Sequence, residues 1–143
     1  MKISRRQSRQ DALQILYQLD MNAELSVPQA IALYEKLYAK ERNSIDEYAV
    51  LLVNGVREHL KELDEEVTKQ SENWRMDRMA TVDRNLLRLG VFELKFCDDV
   101  PATVTINEMV EIAKDFGSDA TPSFINAILD KLKSKVVPPN KAP

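Results

Sequence analysis

Apolar residues recur along this chain at three- and four-residue steps, the period of helices that bury one face. Ala12, Leu13, Leu16 and Leu19 form the first stripe, on a helix that starts near Ser4. After a short connection, Met21 to Val27, Pro28 sits at the first position of a second helix carrying Ile31, Leu33, Tyr34, Leu37 and Tyr38. Ser44-Ile45-Asp46-Glu47 has the form of a capping box and opens a third, with Tyr48, Leu51, Leu52 and Val56 inward. Gly55 within it costs about 1 kcal/mol against alanine, which points to a close helix contact. Leu60, Leu63 and Val67 carry a fourth segment to about Gln70, its outer side a mixture of acids and lysines. Trp74 follows in a polar loop, where a lone tryptophan reads as a plug at the end of a bundle.

The densest apolar pattern runs from Thr81 to Phe116 and reads as helix, break, helix. Val82, Leu86, Leu89 and Phe92, widened by Leu87 and Leu94, describe a helix buried around much of its girth. Thr81 is the expected cap, and Asp83 complements the positive end of the dipole. Val100-Pro101 ends this helix, because proline lacks the N–H that a helix interior needs. Thr105-Ile106-Asn107-Glu108 then has capping-box form, ahead of Met109, Val110, Ala113 and Phe116, with Gly117 as a left-handed terminator. A last helix is expected from Thr121 as cap and Pro122, with Phe124, Ile125, Ile128, Leu129 and Leu132 at helical spacing. Residues 136–143 hold three prolines and read as a disordered tail. The pattern is all-α, with about seven helices.

Composition adds bounds. A chain of 143 residues, 44% apolar and 30% charged, is one globular domain with a core of its own. One cysteine, Cys97, permits no internal disulfide, and no stretch resembles a signal peptide or membrane span, so a cytoplasmic protein is expected. His59, the single histidine, has no ligand-spaced neighbour. With no glycine-rich phosphate loop, nucleophile motif or metal-spaced cluster, the expectation is a binding protein rather than an enzyme, without cofactor or metal. Net charge is −3, so any nucleic-acid site must be local.

The local anomaly is residues 1–10, MKISRRQSRQ, where Lys2, Arg5, Arg6 and Arg9 precede the first acid, Asp11. Arg5 and Arg9 lie one helical turn apart, and Gln10, Leu13 and Tyr17 continue the row begun by Arg6. Two readings stand: a solvated basic terminus, or an arm whose guanidinium forks hold phosphates.

Three irregular phrases, VDRNLLRLGVFEL, DVPATVTINEMVEIAKDFG and FINAILDK, resemble in order and spacing the NusB family of bacterial transcription antitermination factors. The resemblance spans essentially the whole chain. It implies two small helical bundles packed as one compact domain, residues 1–135, with the basic arm leading into the first helix. It implies an RNA-binding adaptor that pairs with the small ribosomal subunit protein NusE. Together with other Nus factors on the elongation complex, the pair holds the single-stranded boxA element of ribosomal RNA leaders so that polymerase resists termination. Carried onto this chain, the RNA-facing residues are Arg5, Arg6, Arg9, Gln14, Tyr17 and Phe124, with Tyr17 and Asp83 at the partner boundary. Gln7, Ser8 and Ser123 stand where other members carry more positive charge, and Ala127 replaces a common glycine. The alternative is a helical protein–protein adaptor, or a homodimer, with negligible RNA binding of its own.

Overall fold

In the computed structural model, residues 3–70 and 75–141 are described. Trp74 and Lys2 fall outside them, and so does the expectation that Trp74 plugs the bundle. Seven α-helices follow one another among the described residues: α1 (Arg5–Met21), α2 (Val27–Tyr38), α3 (Glu47–Glu58), α4 (Leu60–Gln70), α5 (Thr81–Phe96), α6 (Ala102–Phe116) and α7 (Thr121–Val136). Helices α1, α2 and α3 form one group, and α4, α5, α6 and α7 the other. α5 touches α1 and α3 on one side and α4, α6 and α7 on the other, so it is the seam between the groups.

The sequence of α5 explains that position. Leu86, Leu87, Leu89, Val91 and Leu94 are all fully buried, which puts apolar side chains on nearly every side of the helix. Truncating any of these leucines to alanine should cost about 2–5 kcal/mol, because the surrounding helices cannot all collapse into the space. Two glycines allow close approach. A Cβ on Gly55 would overlap the Phe92 ring, and one on Gly90 would stand 2.7 Å from Leu129 Cδ1.

Several sequence expectations about helix ends are corrected. Ala80, not Thr81, precedes α5, and the Thr81 hydroxyl lies 3.9 Å from Met21 Sδ. Asp46, not Ser44, caps α3, accepting from the Tyr48 N–H at 3.0 Å. α6 begins at Ala102 directly after Pro101, so Thr105 is inside the helix. α7 follows Ala120, with Thr121 as its first residue. Gly117 ends α6 in an extended rather than left-handed conformation, φ −101°. The reason is common to the threonines: each hydroxyl donates to a group on another element, Met21, Glu93 or Asp83. The capping box that does form is at α2, where Ser26 and Gln29 bond reciprocally.

Two stripes are also narrower than the spacing suggests. On α2, Ala30 and Tyr34 are buried while Leu33, Leu37 and Tyr38 face outward. On α3, Ala49, Leu52, Val53 and Val56 point inward and Leu51 is exposed.

The tail differs from expectation through Lys141. Residues 137–141 fold back on α5, and the buried Lys141 Nζ donates to the carbonyls of Glu93 (2.7 Å) and Leu94 (3.1 Å). A cation there satisfies carbonyls near the negative end of the α5 dipole. Pro138 and Pro139 limit the entropy lost in ordering the segment.

Candidate nucleic-acid interface

The interface expected from the sequence runs along one edge of α1. Ser4 caps the helix by accepting from the Gln7 N–H at 3.1 Å, so Arg5 and Arg6 belong to its first turn rather than to a loose arm. Arg6, Gln10, Gln14 and Tyr17 then recur at steps of four, four and three along one row. Arg6 and Tyr17 are exposed, and Gln10 and Gln14 partly so. From Arg6 to Tyr17 the row is roughly 17 Å long at 1.5 Å per residue.

At its C-terminal end, the row meets a hollow shared by four helices. Gln14 and Tyr17 from α1, Tyr34 and Tyr38 from α2, Val82 from α5 and Phe116 from α6 line it. Gln14 is held: its Nε2 donates to the Tyr34 hydroxyl at 3.0 Å and to the Gln10 carbonyl at 3.3 Å. Tyr34 in turn donates to Asp11 at 2.6 Å, and the Arg42 guanidinium grips both oxygens of that buried carboxylate. Burial and the neighbouring Asp11 push the Tyr34 phenol well above its usual range, so it stays a donor. This chain of bonds fixes Gln14 through three elements.

Asp83 follows Val82 at the hollow's edge. Its Oδ1 accepts from the Thr121 hydroxyl at 2.9 Å, and Thr121 also receives the Ser118 N–H at 3.0 Å. Asp83 therefore ties the start of α5 to the start of α7. Phe124 lies in the first turn of α7, partly buried against the core. Asp83 is thus a neighbour of the hollow, while Gln14 and Tyr17 are its wall.

The arginines are where sequence reasoning missed most. All three are paired with acids from α5, α6 and the loop between them. Arg5 lies 3.2 Å from Asp99, with its guanidinium 4.0 Å above the Tyr48 ring. Arg6 makes a two-pronged contact with Glu108, Nε to Oε1 at 3.0 Å and Nη2 to Oε2 at 2.6 Å. That fork draws the Arg6 pKa up and the Glu108 carboxyl below its usual range. Arg9 is buried, at 2% exposure. Its Nε donates to Glu93 at 2.6 Å, and Nη1 stands 3.5 Å from Glu108. Burial alone would favour a neutral Arg9, but the Glu93 bond and charge prevail and hold its pKa above normal.

Glu93 is the centre of this arrangement. It is fully buried and accepts from Arg9, from the Tyr48 hydroxyl at 2.6 Å and from the Thr105 hydroxyl at 2.8 Å. Helices α1, α3, α5 and α6 thus meet on one carboxylate. The signal was in the sequence: a glutamate within VFEL, on a helix otherwise buried all round, needs partners to be tolerated. Cys97, beside it, has its thiol pushed up to about 11 by burial and by the Glu93 charge, so it is a small hydrophobe as expected.

Among the described residues no His, Cys, Asp and Glu cluster could hold a metal, and no helix is long and apolar enough to cross a membrane. What the edge of α1 offers is cations at one end and fixed amide and phenol groups at the other.

This chain resembles known proteins along its whole length. A family model described as the NusB family matches residues 6–134. The transcription antitermination protein NusB of Solibacter usitatus is 41% identical over 140 residues, covering 98% of this chain and 95% of the relative. That of Bacillus subtilis is 39% identical over 134 residues, 94% and 98% of the two chains. Among solved structures, T. maritima NusB superposes with a TM-score of 0.84 at 33% identity, covering 96% of each chain. A crystal structure of the antitermination factors NusB and NusE in complex with dsRNA gives 0.78 at 27% identity, over 91% of this chain and 96% of that one.

Proposed function

The chain belongs to the NusB family of transcription antitermination proteins, and we infer that it acts with NusE as the RNA-holding adaptor of an antitermination complex. Its ligand in this reading is the single-stranded boxA segment of ribosomal RNA leaders. One observation carries the reading: an acidic protein places Arg6, Gln10, Gln14 and Tyr17 in a single accessible row on one helix. Arg5 and Arg6 hold the RNA backbone, since guanidinium forks match phosphate oxygens. Gln14 and Tyr17 meet splayed bases, Gln14 by hydrogen bonds and Tyr17 by stacking. Phe124 supplies a second ring beyond Asp83. Tyr17 and Asp83 border the surface on which NusE docks. Arg9 supports the row from beneath by tying α1 to α5.

The adaptor reading, in which RNA contact is negligible without other proteins, is favoured by one feature: every arginine of the row's basic end is already matched to an acid. One titration separates the two. Fluorescent boxA-like RNA is titrated with this protein alone and with NusE, at two salt concentrations. Binding that tightens with NusE and weakens with salt supports the RNA reading. No binding under any of these conditions sinks it and leaves a protein–protein adaptor.

A further inference from the structure

The Arg6 side chain is 51% exposed and reaches a Glu108 carboxylate that is 18% exposed, so the guanidinium of this pair is open to any anion arriving from solvent. The geometry is that of anion recognition. Two nitrogens of one guanidinium face both oxygens of Glu108, and a second guanidinium, Arg9, approaches Oε1 from the protein side. A carboxylate gripped by the Arg6 fork stands where a phosphate would stand. The pair forms the wall of an open hollow between the starts of α1 and α6, next to Arg5. An RNA backbone entering that hollow meets a site that is already filled.

We propose that Glu108 is an internal phosphate mimic that sets the threshold for RNA binding. It occupies the Arg6 fork in the free protein and must be displaced by the RNA backbone. The proposal rests on the RNA-binding reading above and deepens it. Phosphate contacts carry no sequence information, so a fork left open would hold any RNA strand. With Glu108 in place, a strand that offers only phosphates exchanges one anion for another and gains little. A strand that also engages Gln14, Tyr17 and the NusE boundary has further contacts with which to open the fork. Glu108 thus limits adventitious binding by a protein whose partners must assemble on one particular transcript.

The test compares Glu108→Gln with the wild type, each with NusE, on boxA-like RNA and on a scrambled strand of equal length. Glutamine keeps the size and acceptor of the side chain and removes its charge. Removal of the competing charge should tighten both RNAs by about three- to tenfold. The salt dependence should steepen by roughly 0.7 in log–log slope for each phosphate newly held. Arg6→Gln added to Glu108→Gln should abolish the gain. Asp130→Asn is the control, since it changes net charge equally but its carboxylate pairs with Lys133 on α7, not with the fork.

An equal gain from Asp130→Asn would reduce the effect to bulk charge and overturn the proposal. Unchanged or weaker RNA binding by Glu108→Gln overturns it too. So does a Glu108→Gln protein that does not fold, which would make the carboxylate a structural requirement. If the wild type with NusE binds neither RNA, it is the underlying RNA reading that fails, and this proposal falls with it.

Discussion

Replacing Arg9 by alanine removes a buried guanidinium from Glu93, a carboxylate with no exposure to water. Tyr48 and Thr105 still donate to it, but neither carries charge, so a buried anion is left without its cation. Breaking such a pair from one side costs about 3–5 kcal/mol, because the surviving charge keeps its full desolvation penalty. At about 2–4 °C per kcal/mol for a chain near this size, Tm should fall by roughly 6–20 °C. Urea unfolding followed by helical circular dichroism measures the loss directly, provided the slope with denaturant is unchanged. The second variant, Arg9→Ala with Glu93→Gln, removes the orphaned charge and should recover a large part of the loss. Their non-additivity gives the coupling between the two residues. A loss below about 1 kcal/mol in the single variant, or no recovery in the double, would refute the view that Arg9 is held for the fold. The result also governs how RNA data are read: a triple alanine variant of Arg5, Arg6 and Arg9 would confound binding with unfolding, whereas Arg5 and Arg6 alone would not.

Other outcomes follow from the same geometry. Phe124→Ala should weaken RNA binding by about 1–3 kcal/mol if the ring stacks on a base; a fall in Tm with RNA affinity intact would make it a packing residue instead. Gly55→Ala forces the Phe92 ring to move and should destabilise by about 1–3 kcal/mol, outweighing alanine's better helix propensity, as a thermal melt would show. At pH 8 Cys97 should react with iodoacetamide about a hundredfold more slowly than an unperturbed thiol, its pKa being raised from 9.0 to about 11. Because the folded thiol has the higher pKa, its contribution to stability is complete below about pH 9 and is lost as pH rises through about 11. Lys141→Met removes a donor from two α5 carbonyls, of which that of Glu93 keeps the Cys97 N–H, and should cost about 1 kcal/mol in urea unfolding.

The helices were legible because their periodicity is strong and their interruptions are chemical. α5 stops at Phe96 and Pro101 stands directly before α6, Pro28 and Pro122 mark helix starts, and Gly55 and Gly90 announce close packing against Phe92 and Leu129. Helix ends were less legible. Thr81, Thr105 and Thr121 each look like a cap, yet their hydroxyls meet Met21, Glu93 and Asp83, groups that only the fold brings near. Of the candidate interface, the row on α1 could be read from spacing, and Gln14 and Tyr17 do share a hollow. The pairing of Arg5, Arg6 and Arg9 with Asp99, Glu108 and Glu93 could not. Those partners lie between 84 and 102 positions away in the chain, and charge counted locally makes the arm look freer than it is.

The placement of α5 as seam between the two helix groups has a consequence in time. A ribosome delivers α1 through α4 before residue 81 exists, so the faces of α1 and α3 that meet α5 emerge without it. The N-terminal group is therefore an incomplete surface during synthesis. The cation that caps the seam, Lys141, is added only after α7. Completion of this fold waits for residues 121–141, and pulse-labelled nascent chains arrested before α5 should be digested by protease far faster than chains arrested after residue 141 has emerged.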